Sequence, residues 1–212
     1  MFPTKMKVWA IVLICLPMSM GCAGLQVKRG VAGNTLYSST RPRFNVEVAQ
    51  GYEFLQERKD ANSQFFSSSD GSANIEKEVY RFWNVERQRE VQVQFHRISR
   101  QNAYWNKFDF EGYKNLIDAG VETINEDVYQ YGVYTVVDGD GCFLVKAIGR
   151  RIGAQSNTKM MLYFAEKVGG EAAFSEWKNK EFFTADQRKR LQAFLAAFET
   201  DVKIGSYVER GS

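Results

Sequence analysis

The chain of 212 residues is poor in the residue types that most often build reactive sites, with one histidine, three cysteines and three prolines. A lone histidine, His96, excludes a zinc centre made from several imidazoles. It also limits a cysteine–histidine hydrolase to one pairing, Cys142 with His96. Both fall in runs that read as strands, so the expectation is a buried, inert thiol and an exposed strand histidine. The other two cysteines, Cys15 and Cys22, lie near the N-terminus, and a chain processed after residue 21 has no disulfide within its domain. No Gly-x-Ser-x-Gly, phosphate-loop or dinucleotide motif is present. The run Val137-Asp138-Gly139-Asp140-Gly141-Cys142 departs from a calcium loop where Cys142 stands, and it lacks the distant Glu. The expectation is therefore no catalytic residue, no metal and no cofactor.

Long apolar runs are scarce as well. The longest near the start is Val8 to Leu16, preceded by Lys5 and Lys7 and followed by the break from Pro17 to Gly21. Nine residues span about 14 Å as a helix at about 1.5 Å each, short of a hydrocarbon core of about 30 Å. This layout is that of an export signal rather than a spanning helix. Ser19-Met20-Gly21-Cys22 resembles the bacterial lipobox, in which an aliphatic and a small residue precede Gly or Ala and the acylated Cys. Gly21 and Cys22 match, whereas Ser19 stands where an aliphatic residue is usual. The resemblance implies a lipid anchor on Cys22, and Ala23 in place of an Asp implies the outer membrane, with the protein facing the periplasm. Two or more acyl chains hold a protein stably, where one does so only marginally.

The remaining residues suit one folded domain. Phe, Tyr and Trp number 16, 10 and 4, ample apolar area for a core without disulfides. Loss of residues 1–21, which hold two lysines and no acid, takes the formal charge from +3 to +1, and no nucleic-acid partner is expected. Residues 22–42, rich in Gly, Ser and Thr, read as a flexible tether, and 43–208 as a single domain.

Within that domain Phe44, Val46 and Val48 alternate with polar residues, and Gly51 suggests a turn into a second strand of a first hairpin. Val91, Val93 and Phe95 give a second hairpin turning near Gln88. Tyr113, Leu116 and Ile117 share a helical face between Asp109 and Gly120, predicting a short helix. Two apolar runs flank Asp138-Gly139-Asp140-Gly141, a tight-turn signal, and Thr158 to Val168 can form a further strand. The last element is a helix from Thr184, with Gln187 at capping-box spacing. Its stripe is Leu191, Phe194, Leu195, Phe198 and Val202, and Gly205 is its expected stop. The predicted fold class is α+β, a mostly antiparallel sheet of hairpins with the C-terminal amphipathic helix packed on one face.

Charge is segregated along the chain. Residues 79–107 carry Arg81, Arg87, Arg89, Arg97, Arg100 and Lys107 against Glu86 and Glu90, a balance of +4, while 109–140 carry eight acids against Lys114, a balance of −7. The five arginines are the candidate binding residues for a charged envelope component. From "RPRFNVEVAQGYEF" onward the chain is similar to small lipoproteins of Gram-negative bacteria grouped as a domain of unknown function, and its early hairpin and terminal helix resemble the PsbP-like α+β topology. The expected role is a non-catalytic binding or scaffolding lipoprotein. The alternative is an envelope enzyme acting through carboxylates, for which two inward carboxylates about 5 to 10 Å apart would be the sign.

Overall fold

A computed structural model describes residues 29–39, 43–65, 72–99, 104–106, 108–152, 156–177 and 180–205. Cys22, Arg100, Lys107, residues 1–21 and residues 206–208 lie outside this set. The described chain is α+β and mostly strand. In order it forms β1 (Arg29–Ala32), β2 (Thr35–Ser38), β3 (Phe44–Val48), β4 (Glu53–Phe65), β5 (Ser72–Asn84), β6 (Arg89–Ile98) and β7 (Leu116–Ile124). Then follow β8 (Asp127–Asp138), β9 (Gly141–Ile152), β10 (Thr158–Gly170), the short α1 (Ala173–Glu176), a 3-10 turn (Lys180–Phe182), α2 (Ala185–Asp201) and β11 (Val202–Gly205).

Every strand pair is antiparallel. Seven strands run in the order β4-β5-β6-β10-β9-β8-β7, and four in the order β1-β2-β3-β11. The small sheet and α2 together cover one face of the large sheet. Between these layers lies the main core, where Leu36 and Val46 of the small sheet and Phe194 and Phe198 of α2 meet Phe82, Val91, Leu162 and Phe164 of the large one.

The hairpins close on the residues their turns need. Gly139 (φ 59°) turns β8 into β9, and Gln88 (φ 51°) sits in the turn before β6, where the Arg87 amide donates to Asn84 Oδ1 at 2.9 Å. The predicted cap of α2 is present on both sides: the Gln187 amide donates to Thr184 Oγ1 at 3.2 Å, and the Thr184 amide donates to Gln187 Oε1 at 2.8 Å. Phe194 and Phe198 are buried as the stripe requires, while Leu191 and Leu195 are half-buried against the same core.

Four expectations need correction. Residues 29–38 are not tether: they form the β1–β2 hairpin, with Leu36 fully buried and Gly33 (φ 57°) in its turn. Strand pairing overrides their Gly- and Ser-rich composition. The first hairpin does not exist, because β3 pairs with β2 and β11 whereas β4 pairs with β5. Gly51 (φ 88°) instead bends the chain from one sheet to the other. The helix expected over 109–120 is a loop followed by β7. Leu116 packs in a separate cluster while Ile117 enters the main core, as strand alternation requires, and a bulge between Leu116 and Asp118 interrupts the register; burial on both faces of β7 gives the apolar pair that resembles a helical face. Finally, α2 ends at Asp201 rather than at Gly205, since Val202 (φ −129°) turns extended and starts β11 beside β3.

Candidate functional site

Alternation divides the side chains of the large sheet between its two faces. Val91, Val93 and Phe95 of β6 sit opposite Phe164, Leu162 and Met160 of β10 in the main core. Their neighbours Glu90, Gln92 and Gln94, opposite Ala165, Tyr163 and Met161, therefore point to the second face. Neither α2 nor the small sheet covers it. An antiparallel sheet packed on one side normally shows polar residues on the other. Here β9 reads Cys-Phe-Leu-Val-Lys-Ala-Ile and β10 Met-Met-Leu-Tyr-Phe-Ala, apolar on both faces.

Part of this second face is covered by the segment before β7. Phe108 and Phe110 lie parallel (12° between planes, centroids 6.3 Å apart) over Gly149 and Gly132. A Cβ on either glycine would come within 2.8 Å or less of the ring above it, so these two positions admit the rings only because they lack side chains. Phe110, Tyr134, Val145 and Ala147 form the second cluster, with Phe143, Tyr163 and Ala165 packed against it. Asn115 ties the segment down, donating through Nδ2 to Thr135 Oγ1 and to the Phe174 carbonyl, both at 3.2 Å.

Beyond this strap the face opens into a groove of about 780 Å³. Tyr134, Phe143, Val145, Tyr163 and Ala165 line its apolar side. Trp83, Arg81, Glu90, Gln92 and Gln94 line the side formed by β5 and β6. Leu55, Tyr113 and Val136, themselves 53, 39 and 40 % exposed, complete the lining together with others. The polar groups bond chiefly to one another. Arg81 Nε and Nη2 donate to both oxygens of Glu90 at 2.7 and 2.8 Å. Gln92 Nε2 donates to Glu90 at 3.4 Å, Gln94 Nε2 donates to Gln92 Oε1, and His96 Nε2 lies 2.9 Å from Gln94 Oε1. The result is a hydrogen-bonded ladder along β6 beside an apolar floor.

The four described arginines of the five, Arg81, Arg87, Arg89 and Arg97, do not make one surface. Arg81 points into the groove, whereas Arg89 and Arg97, in step with Val91 and Phe95 along β6, belong to the opposite face. Arg89 is a half-buried bridge: its Nε donates to Glu166 Oε2 at 2.8 Å and its Nη1 to Asp201 Oδ2 at 3.1 Å. Arg87 reaches Asp201 Oδ1 at 3.3 Å, and the Tyr52 hydroxyl donates to Asp201 Oδ2 at 2.9 Å. Burial, and then the Asp201 carboxylate, push the Tyr52 phenol well above its ordinary pKa. Arg97 lies 4.0 Å from Glu76, both more than half exposed. The acidic run pairs elsewhere, Lys146 with Glu122 at 2.9 Å and Arg150 with Asp127. The segregation seen along the chain is thus largely neutralised in the fold.

A second, smaller groove of about 470 Å³ runs between α2 and the β7 side of the large sheet. At its base Lys146, almost fully buried, lies 3.9 Å from the Phe198 ring centroid and donates to Glu122 and Glu199. This lysine joins β9 to β7 and α2.

Cys142 is buried, as expected, and burial raises its thiol pKa. His96 is not exposed but half-buried, edge-on to Trp105 with centroids 6.1 Å apart. Burial, with Lys159 and Lys77 nearby, pushes its pKa down to about 4. Register places Cys142 opposite Gly169 and His96 opposite Lys159, ten residues apart on β10. At about 3.3 Å per residue they are roughly 30 Å apart, which removes the cysteine–histidine pairing.

Sequence reasoning missed the groove, although the two-sided apolar runs of β9 and β10 were a signal for it. No protein-family model, curated protein or solved structure matches the chain.

Proposed function

We propose that this protein is a non-catalytic binding module of the bacterial envelope, held at the outer membrane by lipid on Cys22, with the groove of the large sheet as its binding face. One observation carries the reading. On β8, β9 and β10 the second face of the sheet is apolar where solvent would favour polar residues, and with β5 and β6 it forms a concave site of about 780 Å³, inside the range of roughly 300 to 1,000 Å³ common for ligand sites. The partner expected from sequence was a charged component at the arginines. With Arg81 and Arg89 bound to the chain's own carboxylates, the groove is the better-supported face.

The enzyme alternative has less support. Glu90 and Asp138 both line the groove, but both oxygens of Glu90 are engaged by Arg81, which leaves neither free to meet a substrate.

The anchor is tested by fractionation. Cys22→Ser is expected to move the protein from washed membranes to the soluble periplasmic fraction with an unchanged melting temperature. Retention of the variant in the membranes would refute the lipid anchor.

A further inference from the structure

We infer that the groove takes the acyl chain of a lipid with no net charge. This assignment rests on the binding-module reading above and names its ligand class. Three observations lead to it.

The first is charge. The lining holds two bases, Arg81 and Lys114, and two acids, Glu90 and Asp138, so it carries no net formal charge to attract an ionic ligand. Arg81 and Glu90 are also closed on each other by two short bonds. A charged ligand would lose its hydration without gaining a free bidentate partner.

The second is hydrogen bonding. A sugar chain carries many hydroxyls that must be satisfied when they leave water. The groove's Gln92 and Gln94 are already linked to Glu90, to each other and to His96. Each amide nitrogen has two N–H groups and spends one in this ladder, enough for a glycerol or ester oxygen but not for a run of sugar rings.

The third is the apolar surface itself. Phe143, Val145, Tyr163 and Ala165 form a continuous floor, and Leu55 and Val136 stand exposed at its margins. Tyr134 is covered by Tyr113, with ring centroids 4.6 Å apart, so its face is not free for stacking on a sugar. Removing hydrocarbon from water is the main gain such a site can provide, at about 25 cal/mol per Å². The site is concave and of ligand size, which suits a flexible chain laid along it.

Trp83 in the lining supplies a readout. The full chain bearing Cys22→Ser, purified without detergent, is titrated with monooleoylglycerol brominated on its acyl chain, since bromine quenches tryptophan on contact. Parallel titrations use brominated oleate and an N-acetylated chitooligosaccharide, the latter followed by calorimetry. The expected result is saturable quenching by the monoacylglycerol, loss of most of that quenching in Trp83→Phe, severalfold weaker binding of oleate and no binding of the sugar. Leu55→Glu and Val136→Glu alter exposed margin residues and should each weaken the monoacylglycerol at least tenfold at an unchanged melting temperature. Arg97→Glu, on the other face, should bind as wild type. Quenching indifferent to Trp83→Phe and to both margin variants would overturn the assignment, and equal binding of oleate would overturn the uncharged head. Binding of the sugar, weakened in both margin variants while the lipid is silent, would overturn the acyl ligand and leave the binding-module reading standing.

Discussion

Arg89→Glu is expected to destabilise the fold by about 3 to 5 kcal/mol, the range found when one partner of a buried ion pair is removed. The side chain is 17 % exposed and bridges Glu166 of β10 to Asp201, which is 4 % exposed at the end of α2. Reversal would leave Asp201 with the more exposed Arg87 as its one remaining ion-pair partner, beside the Tyr52 hydroxyl, and set a third carboxylate beside it and Glu166. Domain stabilities of about 5 to 15 kcal/mol make this a large fraction of the total. Arg97→Glu, whose pair with Glu76 is surface-exposed, should change stability by no more than about 1 kcal/mol. Urea midpoints for the two variants check the contrast. Equal midpoints would mean that Arg89 is a solvated surface charge.

Truncating Phe194 should have an effect of similar size. Its ring is fully buried and lies 5.2 Å from that of Phe164, while Phe198 meets Phe164 edge-on at 5.8 Å. Phe194→Ala removes this contact and leaves a cavity between α2 and the large sheet, at about 3 to 5 kcal/mol. Gln192→Ala, on the exposed side of the same helix, should lie within about 0.5 kcal/mol of wild type. A small loss for Phe194→Ala would show that α2 does not hold the covered face of the sheet.

How much of this was legible depended on whether a local pattern had a single solution. The α2 cap was, because Thr184 and Gln187 satisfy backbone groups three residues away. The turns at Gln88 and Gly139 were too, since strand alternation resumes on both sides of each. Pairing between distant strands was not. Nothing local says that β3 joins β11, some 150 residues later, rather than its neighbour β4. The same limit hid the destination of the arginines: Arg89 and Asp201 are 112 positions apart, and only the packed fold brings them to 3.1 Å. Spacing misled at Tyr113, Leu116 and Ile117, where a loop precedes β7 and strand alternation sends the consecutive Leu116 and Ile117 into different clusters. The groove left a trace in the unbroken apolar runs of β9 and β10, but its floor becomes a site only once β5 to β10 lie side by side.

The central claim is that the protein works through the uncovered face of its large sheet. Hydroxyl-radical footprinting of the wild-type protein in cell-envelope membranes, where the proposed anchor on Cys22 would hold it, against the purified Cys22→Ser chain tests it directly. Trp83, Tyr113 and Phe143 report on the groove, and Tyr104 and Phe182, 64 and 79 % exposed, report on surface outside it. The account predicts that labelling of the three groove residues falls severalfold in the envelope while Tyr104 and Phe182 are labelled equally in both preparations. Equal labelling of the groove, with protection confined to residues outside it, would contradict the account.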